Sequence, residues 1–184
     1  MLGYLSCMLP IVLDLGRCDI VLVGDGAAAK KRRQLLDEAG AARLRVFTPP
    51  QLPTESELAT ARLVFIADRA APYVADLAIR ARACGALVHI EDEPAHSDLH
   101  LPAVLRRGSL AIAISTGGAS PALAVRLKQA LGEWIGPEWR GRTEEIAALR
   151  RHWRDAGADA QSLKQRTWDL IERRRWLPRL PSRS

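Results

Sequence analysis

Two short stretches hold the small and hydroxylic residues that backbone-mediated anion binding requires. Val23-Gly24-Asp25-Gly26-Ala27-Ala28-Ala29 lies between an apolar run and a run of helix formers, and it fits G-x-G-x-x-A. In that pattern Gly24 makes the tight turn, Gly26 lets the backbone approach a pyrophosphate, and Ala29 permits close packing of helix on sheet. The helix start then offers unpaired N–H groups and partial positive charge to the phosphate. A plain tight turn can carry the same letters, and the strand-turn-helix setting is what favours dinucleotide binding. The second stretch is Ile114-Ser115-Thr116-Gly117-Gly118-Ala119-Ser120-Pro121. Its two glycines, three hydroxyls and Ser-Pro helix start make a concave set of donors for carboxylate or phosphate, and an ordinary strand-to-helix turn is an equal reading.

One expected part is absent. An acid for the ribose should end the second strand, where this chain has Phe47-Thr48-Pro49-Pro50. Arg43 and Arg45 could instead meet a 2′-phosphate, although a solvated strand face is the simpler account. His96, Asp98 and His100 share one loop and could hold a metal ion, but no further partner is visible to orient them, and no metal ligands are assigned.

The elements that must position these residues follow from periodicity. Ile20–Val23, Leu44–Phe47, Leu63–Ala67 and Ala86–Ile90 are short apolar runs that read as buried parallel strands. Helices are predicted over Ala27–Glu38, stopped by Gly40, and over Pro72–Cys84, stopped by Gly85. Leu101–Leu105 and Leu110–Ser115 flank a turn at Arg107-Gly108-Ser109 and read as a hairpin. Ser120 caps a helix that runs to about Trp134. Thr143 is expected to cap the next helix, with Ile146, Leu149 and Trp153 on one face. Ser162 with Gln165 suggests a capping box for the last helix, and the tail beyond Trp176 is expected to fray.

The fold class is therefore α/β: a Rossmann-like parallel sheet, then a small hairpin region and a C-terminal helical region. Residues 1–92 form the expected dinucleotide-binding domain, 93–136 a hairpin and helix, and 137–184 a basic helical region. From Pro137 onward there are 12 Lys/Arg against 7 Asp/Glu, a net of +5 out of +6 overall. All five tryptophans also lie in the last third of the chain. The three cysteines have no metal-ligand spacing and leave one unpaired in any disulfide scheme, which points to reduced thiols and a cytoplasmic setting. The apolar N-terminal stretch is broken by Pro10, Asp14 and Arg17, too short for a membrane span or signal peptide, and Met8 could be the true start.

The order of segments carries a resemblance. The glycine turn, Glu91-Asp92-Glu93-Pro94, Leu101-Pro102-Ala103 and the S-T-G-G-x-S-P run at Ser115–Pro121 are together similar to the precorrin-2 dehydrogenase/sirohydrochlorin ferrochelatase family, which includes the N-terminal part of sirohaem synthase. The likeness is close from Met8 to Trp134 and looser beyond. It implies NAD-dependent oxidation of precorrin-2 to sirohydrochlorin, with Fe(II) insertion added in some members, and a homodimer. It places the cofactor at Gly24, Gly26, Ala27 and Ala28, with Thr48, Pro49 and Pro50 near the adenosine. It assigns Asp92 as the catalytic carboxylate, where residue type alone suggests a solvated turn acid, and it puts the tetrapyrrole at Ser115, Thr116, Gly117, Gly118 and Ser120. Arg106, Arg107, Arg126 and Lys128 could pair with substrate carboxylates. The chain departs from the family's usual residues at Asp25, Asp68, Val74 and His89, and Asp25 is tolerable only with negative φ.

Other classes remain as alternatives. A non-catalytic dinucleotide-binding regulatory domain would need neither Asp92 nor the second turn. Nucleic-acid binding by the basic, Trp-rich helices is possible in principle, but Trp153 shares a face with apolar neighbours, which favours packing. A chelatase-only member would keep the fold and lose the redox step. Neither a nucleic acid nor a membrane is expected as partner.

Overall fold

The computed structural model describes residues 8–177. Cys7, Pro178 and Pro181 and the expected frayed tail lie outside them. The described chain divides into two compact units, one reaching Leu101 and one starting at Pro102.

The first unit is a four-stranded parallel sheet of order β2-β1-β3-β4, with β1 at Asp19–Val23, β2 at Arg43–Phe47, β3 at Leu63–Ile66 and β4 at Leu87–Ile90. Strand residues alternate between two apolar layers. Val21, Val23, Val64, Ile66, Val88 and Ile90 pack with α2 (Glu55–Thr60) and α3 (Val74–Ala83) through Leu58, Leu77, Ala78 and Ala81. Ile20, Leu22, Leu63 and Phe65 face the other way, onto Ala29 and Leu36 of α1 (Gly26–Glu38). Helices thus cover both faces, as near-continuous apolar strands demand.

Helix α2 departs from expectation, since the sequence reading left Thr54–Thr60 without structure. The Thr54 side chain accepts from the Glu57 N–H, and the Glu57 carboxylate accepts from the Thr54 N–H at 2.7 Å, a complete capping box.

In the second unit β5 (Ala103–Arg107) and β6 (Leu110–Ile114) form an antiparallel hairpin, followed by α4 (Pro121–Trp134), α5 (Trp139–Asp155) and α6 (Ala160–Arg174). Arg107 ties hairpin to helix, donating from Nε to the Ile135 carbonyl at 2.8 Å and from Nη2 to that of Gly132 at 3.1 Å. Those are otherwise unpaired acceptors at a helix C-terminus. Two expected caps are corrected. α5 starts at Trp139, before Thr143, whose hydroxyl instead donates back to the Arg140 carbonyl at 2.9 Å. Asp159 caps α6 and accepts from the Ser162 N–H at 2.8 Å, so Ser162 is the capped residue and not the cap.

Candidate functional site

The parallel strands bring their carboxyl ends to one edge, and β1 and β3 sit side by side where the strand order reverses. Ligands of open α/β sheets bind in the crevice at such a switch point. At this edge stand the glycine turn after β1, Thr48-Pro49-Pro50 after β2, Asp68 after β3 and Asp92 after β4.

The end of β3 dictates Gly24. Its φ is +145°, and a Cβ there would lie 2.8 Å from the Ala67 Cβ, so only glycine fits. Asp25 keeps φ at −133°, the negative value that its side chain requires. Gly26 has φ +70°, and apart from its chain neighbours and its own helix no heavy atom lies within 4 Å of where a Cβ would stand. Ala29 is buried against the sheet. By shape, then, the turn fits a pyrophosphate: the backbone is open at Gly26, and the N-terminus of α1 faces the opening through Ala27 and Ala28. By charge it is less accommodating. The Asp25 carboxylate accepts from the Gly26 N–H at 2.6 Å, and the Asp25 N–H donates to Asp68 Oδ2 at 3.2 Å. Tyr73 donates its hydroxyl to the same oxygen at 2.8 Å, and burial together with that carboxylate pushes the phenol well above its ordinary pKa.

Neither arginine of β2 is offered to a ribose phosphate. Arg43 pairs with Asp19 at 3.2 Å at the amino end of the strands, and Arg45 donates to the Glu57 carbonyl and the Thr60 hydroxyl.

Asp92 is exposed and holds φ at +56°, a left-handed conformation uncommon outside glycine that clusters at functional sites. Its carboxylate has no hydrogen-bond or ion-pair partner among the described residues. The backbone on both sides of it is fixed. Ser97 Oγ accepts from the Ile90 N–H and donates to the Glu93 carbonyl, both at 2.9 Å. Asp98 accepts from the Val88 N–H at 2.9 Å and pairs with Arg82 at 2.9 Å. The same contacts bear on the His96–Asp98–His100 loop, where no metal ligands are assigned. Asp98 is committed to backbone and arginine, His96 pairs with Glu93 at 3.5 Å, and no group of three potential ligands converges among the described residues.

Beneath Asp92 lies a cluster that sequence reading missed. Arg32 of α1 is only 8% exposed and donates from Nη2 and Nε to Glu91 Oε2, the latter at 3.2 Å. His89 approaches Arg32 Nη2 through Nε2 at 3.4 Å and the Leu99 carbonyl through Nδ1 at 3.1 Å. A guanidinium can only donate and a carbonyl can only accept, so Nδ1 carries the proton and the imidazole is neutral. Burial, the largest influence, lowers the His89 pKa and agrees with that tautomer.

In the second unit the Ser115–Ser120 turn spends its hydroxyls on its own shape. Ser115 Oγ accepts from Gly117 at 3.2 Å, and Thr116 Oγ1 accepts from the Ser120 N–H and donates to its carbonyl, both at 3.1 Å. Ser120 Oγ caps α4 at Leu123, 3.2 Å. Gly117 and Gly118 take φ of +61° and +85°. The N–H groups of Gly118 and Ala122 remain without a partner among the described residues. The register corrects the expected cation set, because Ala103 pairs with Ile114 and Arg107 with Leu110. Arg106 and Arg107 lie at the far end of the hairpin from this turn, and Arg107 is committed to carbonyls at the C-terminus of α4, whereas Arg126 of α4 is exposed.

Both turns lie within segments of the chain that match families of known proteins. A family model described as "Putative NAD(P)-binding" matches residues 11–103, half of the chain, and one described as "Sirohaem biosynthesis protein central" matches residues 107–133. The chain is 32% identical over 190 residues to siroheme synthase 3 of Aeromonas hydrophila, covering 94% of this chain and 38% of that protein. It is 31% identical over 163 residues to siroheme synthase of Ectopseudomonas mendocina, covering 80% and 34%. It thus spans a little over a third of these relatives' length. The fold matches that of SirC, a precorrin-2 dehydrogenase, with a TM-score of 0.70, 21% identity and 92% of each chain covered.

Proposed function

Since the chain belongs to the family of precorrin-2 dehydrogenases and the N-terminal part of sirohaem synthase, we propose that it oxidises precorrin-2 to sirohydrochlorin with NAD as the acceptor. Bound at the first turn, the dinucleotide supplies a hydride acceptor. Gly24, Gly26, Ala27 and Ala28 would take its pyrophosphate, and Thr48, Pro49 and Pro50 would line its adenosine. NAD is favoured over NADP because Arg43 and Arg45 are both engaged elsewhere.

The oxidation removes a hydride and a proton from the macrocycle, giving sirohydrochlorin, NADH and H⁺. Asp92 would accept that proton. The observation carrying this role is its combination of exposure, positive φ, lack of partners among the described residues and position at the strand edge. Ser115, Thr116, Gly117, Gly118 and Ser120 shape the turn that would present the Gly118 and Ala122 N–H groups to a tetrapyrrole carboxylate. The homodimer belongs to this proposal too: Leu123, Val125, Leu127 and Trp134 of α4 are exposed and suit a second copy. We retain residues 93–136 as the tetrapyrrole and dimer region between the cofactor domain and the basic helices.

The test is anaerobic mixing of protein, precorrin-2 and NAD, following sirohydrochlorin and NADH together. Equal rates of both products are expected, and Asp92→Ala should slow them by about 100-fold or more. Tetrapyrrole binding with neither product would sink the dehydrogenase reading. It would favour a chelatase-only member with Fe(II) as substrate, to which the carboxylates at the first turn already lend some weight.

A further inference from the structure

We propose that the Asp25 carboxylate is a built-in competitor for the dinucleotide's pyrophosphate, so that cofactor affinity is set by how readily this side chain leaves the Gly26 N–H. The inference rests on the first turn being the cofactor site.

Two donors of that turn would naturally serve a phosphate, and both already end on carboxylates of the chain itself. The Gly26 N–H points to Asp25 Oδ1 at 2.6 Å. The Asp25 N–H points to Asp68 Oδ2 at 3.2 Å, and Tyr73 pins that oxygen from the other side at 2.8 Å. Hydrogen bonds to an ionised acceptor are about twice as strong as neutral ones, so an incoming phosphate meets a donor that is well satisfied. Charge adds to the obstacle. No arginine, lysine or histidine forms an ion pair with Asp25 or Asp68 among the described residues. Two uncompensated carboxylates therefore stand where a doubly charged pyrophosphate would arrive.

Apart from Asp25 itself, space is not the obstacle, because nothing beyond the chain neighbours and the helix's own backbone crowds Gly26. Removing the charge at residue 25 should then tighten binding, the opposite of what mutating a binding residue does. The backbone tolerates the change. Asp25 sits at φ −133° and ψ 176°, extended values open to any residue, and glycine at an N-cap costs only a few tenths of a kcal/mol relative to aspartate. Asp68 acts at one remove, through the Asp25 N–H, so neutralising it should help less.

The experiment is calorimetric titration of NAD into the wild-type chain, Asp25→Gly, Asp25→Asn and Asp68→Asn, with a thermal melt of each. Asn keeps the helix cap without the charge and decides the matter if the glycine variant folds poorly. The expected result is binding at least tenfold tighter for Asp25→Gly, a smaller gain for Asp25→Asn and the smallest for Asp68→Asn. Raised salt should also improve binding to the wild type relative to Asp25→Gly, since it screens the repulsion. Wild-type binding that a folded Asp25→Gly or Asp25→Asn leaves equal or weaker would overturn the competitor role while preserving the cofactor site. Failure of all four proteins to bind NAD or NADP would remove the site, and the inference with it.

Discussion

The two compact units bury their apolar residues in opposite ways. In the first, strands β1 and β3 are almost wholly enclosed between α1 on one face and α2 with α3 on the other. In the second, the buried apolar residues among those described are Leu105, Ala124, Ile135, Leu163 and Leu170, while α5 buries none. α4 leaves Leu123 50% exposed and Trp134 55% exposed. The difference teaches where each unit's order comes from. The first holds itself together by close packing around a sheet. The second is held by a hairpin, the Arg107 clamp on α4 and the Arg150 bonds from α5 to α6, with apolar residues of α4 left exposed.

The largest expected effect separates the units directly. Leu77→Ala empties a fully enclosed site between α3 and the sheet and should cost about 3 kcal/mol. Leu123→Ala, half in water, should cost under about 1 kcal/mol at low protein concentration. Urea unfolding can assign each loss to its unit. All five tryptophans lie at position 134 or beyond, so their fluorescence reports the second unit while far-ultraviolet circular dichroism reports both. A shift of the dichroism midpoint alone in Leu77→Ala would show independent unfolding. A matching fluorescence shift would show that the units unfold together and blunt the contrast.

Next in size is the charged cluster under Asp92. Glu91→Gln leaves the Arg32 guanidinium buried beside a neutral acceptor and should cost about 2 kcal/mol. Its counterpart in the second unit is the Arg174–Glu145 pair at 2.9 Å, whose side chains are 58% and 36% exposed. Glu145→Gln should cost under about 0.5 kcal/mol. Equal losses, measured by the same urea curves, would mean that burial does not distinguish the two pairs. Between those two losses falls Ser120→Ala, which removes one helix cap at the second turn and should cost about 1 kcal/mol.

How much of this was legible followed from how local each cause is. The four strands, α1, α3, the hairpin and α4 read directly, because apolar runs, Gly40, Gly85 and Ser120-Pro121 mark them within a few residues. Both glycine turns were legible for the same reason. α2 was missed because six residues give little periodicity, although Thr54 and Glu57 had the spacing of a capping box. The start of α5 was missed because no side chain caps it. The Arg32–Glu91–His89 cluster could not be read at all. Arg32 stands in Lys30-Lys31-Arg32-Arg33, a run that looks like a solvated helix face, and only the fold carries Glu91 across 59 positions to meet it. The ligand-like spacing of His96, Asp98 and His100, to which no metal is assigned, has its use in the fold instead, since its central carboxylate is bonded by Val88 and Arg82.

The smallest effect concerns pH and belongs to the first unit alone. Burial lowers the His89 pKa from the ordinary 6.5, with the Arg32 charge adding to the shift, while the Leu99 carbonyl, bonded to the ring, and Glu91 oppose it. Above pH 6.5 the imidazole is neutral in folded and unfolded chains, and the site's contribution is fully present. As pH falls through 6.5 the unfolded chain takes up a proton that the folded site resists, so stability declines toward the lowered folded value. One proton can give a slope of at most about 1.4 kcal/mol per pH unit. His89→Asn keeps a donor for Leu99 and an acceptor for Arg32 without a titrating ring. It should therefore flatten the loss of stability between pH 7 and pH 5, read by dichroism. Because the effect arises beside Glu91, it should leave the tryptophan-reported unfolding of the second unit unchanged if the units unfold separately. An unaltered slope in His89→Asn would place the acid sensitivity elsewhere and show that the cluster under Asp92 is held without regard to this imidazole.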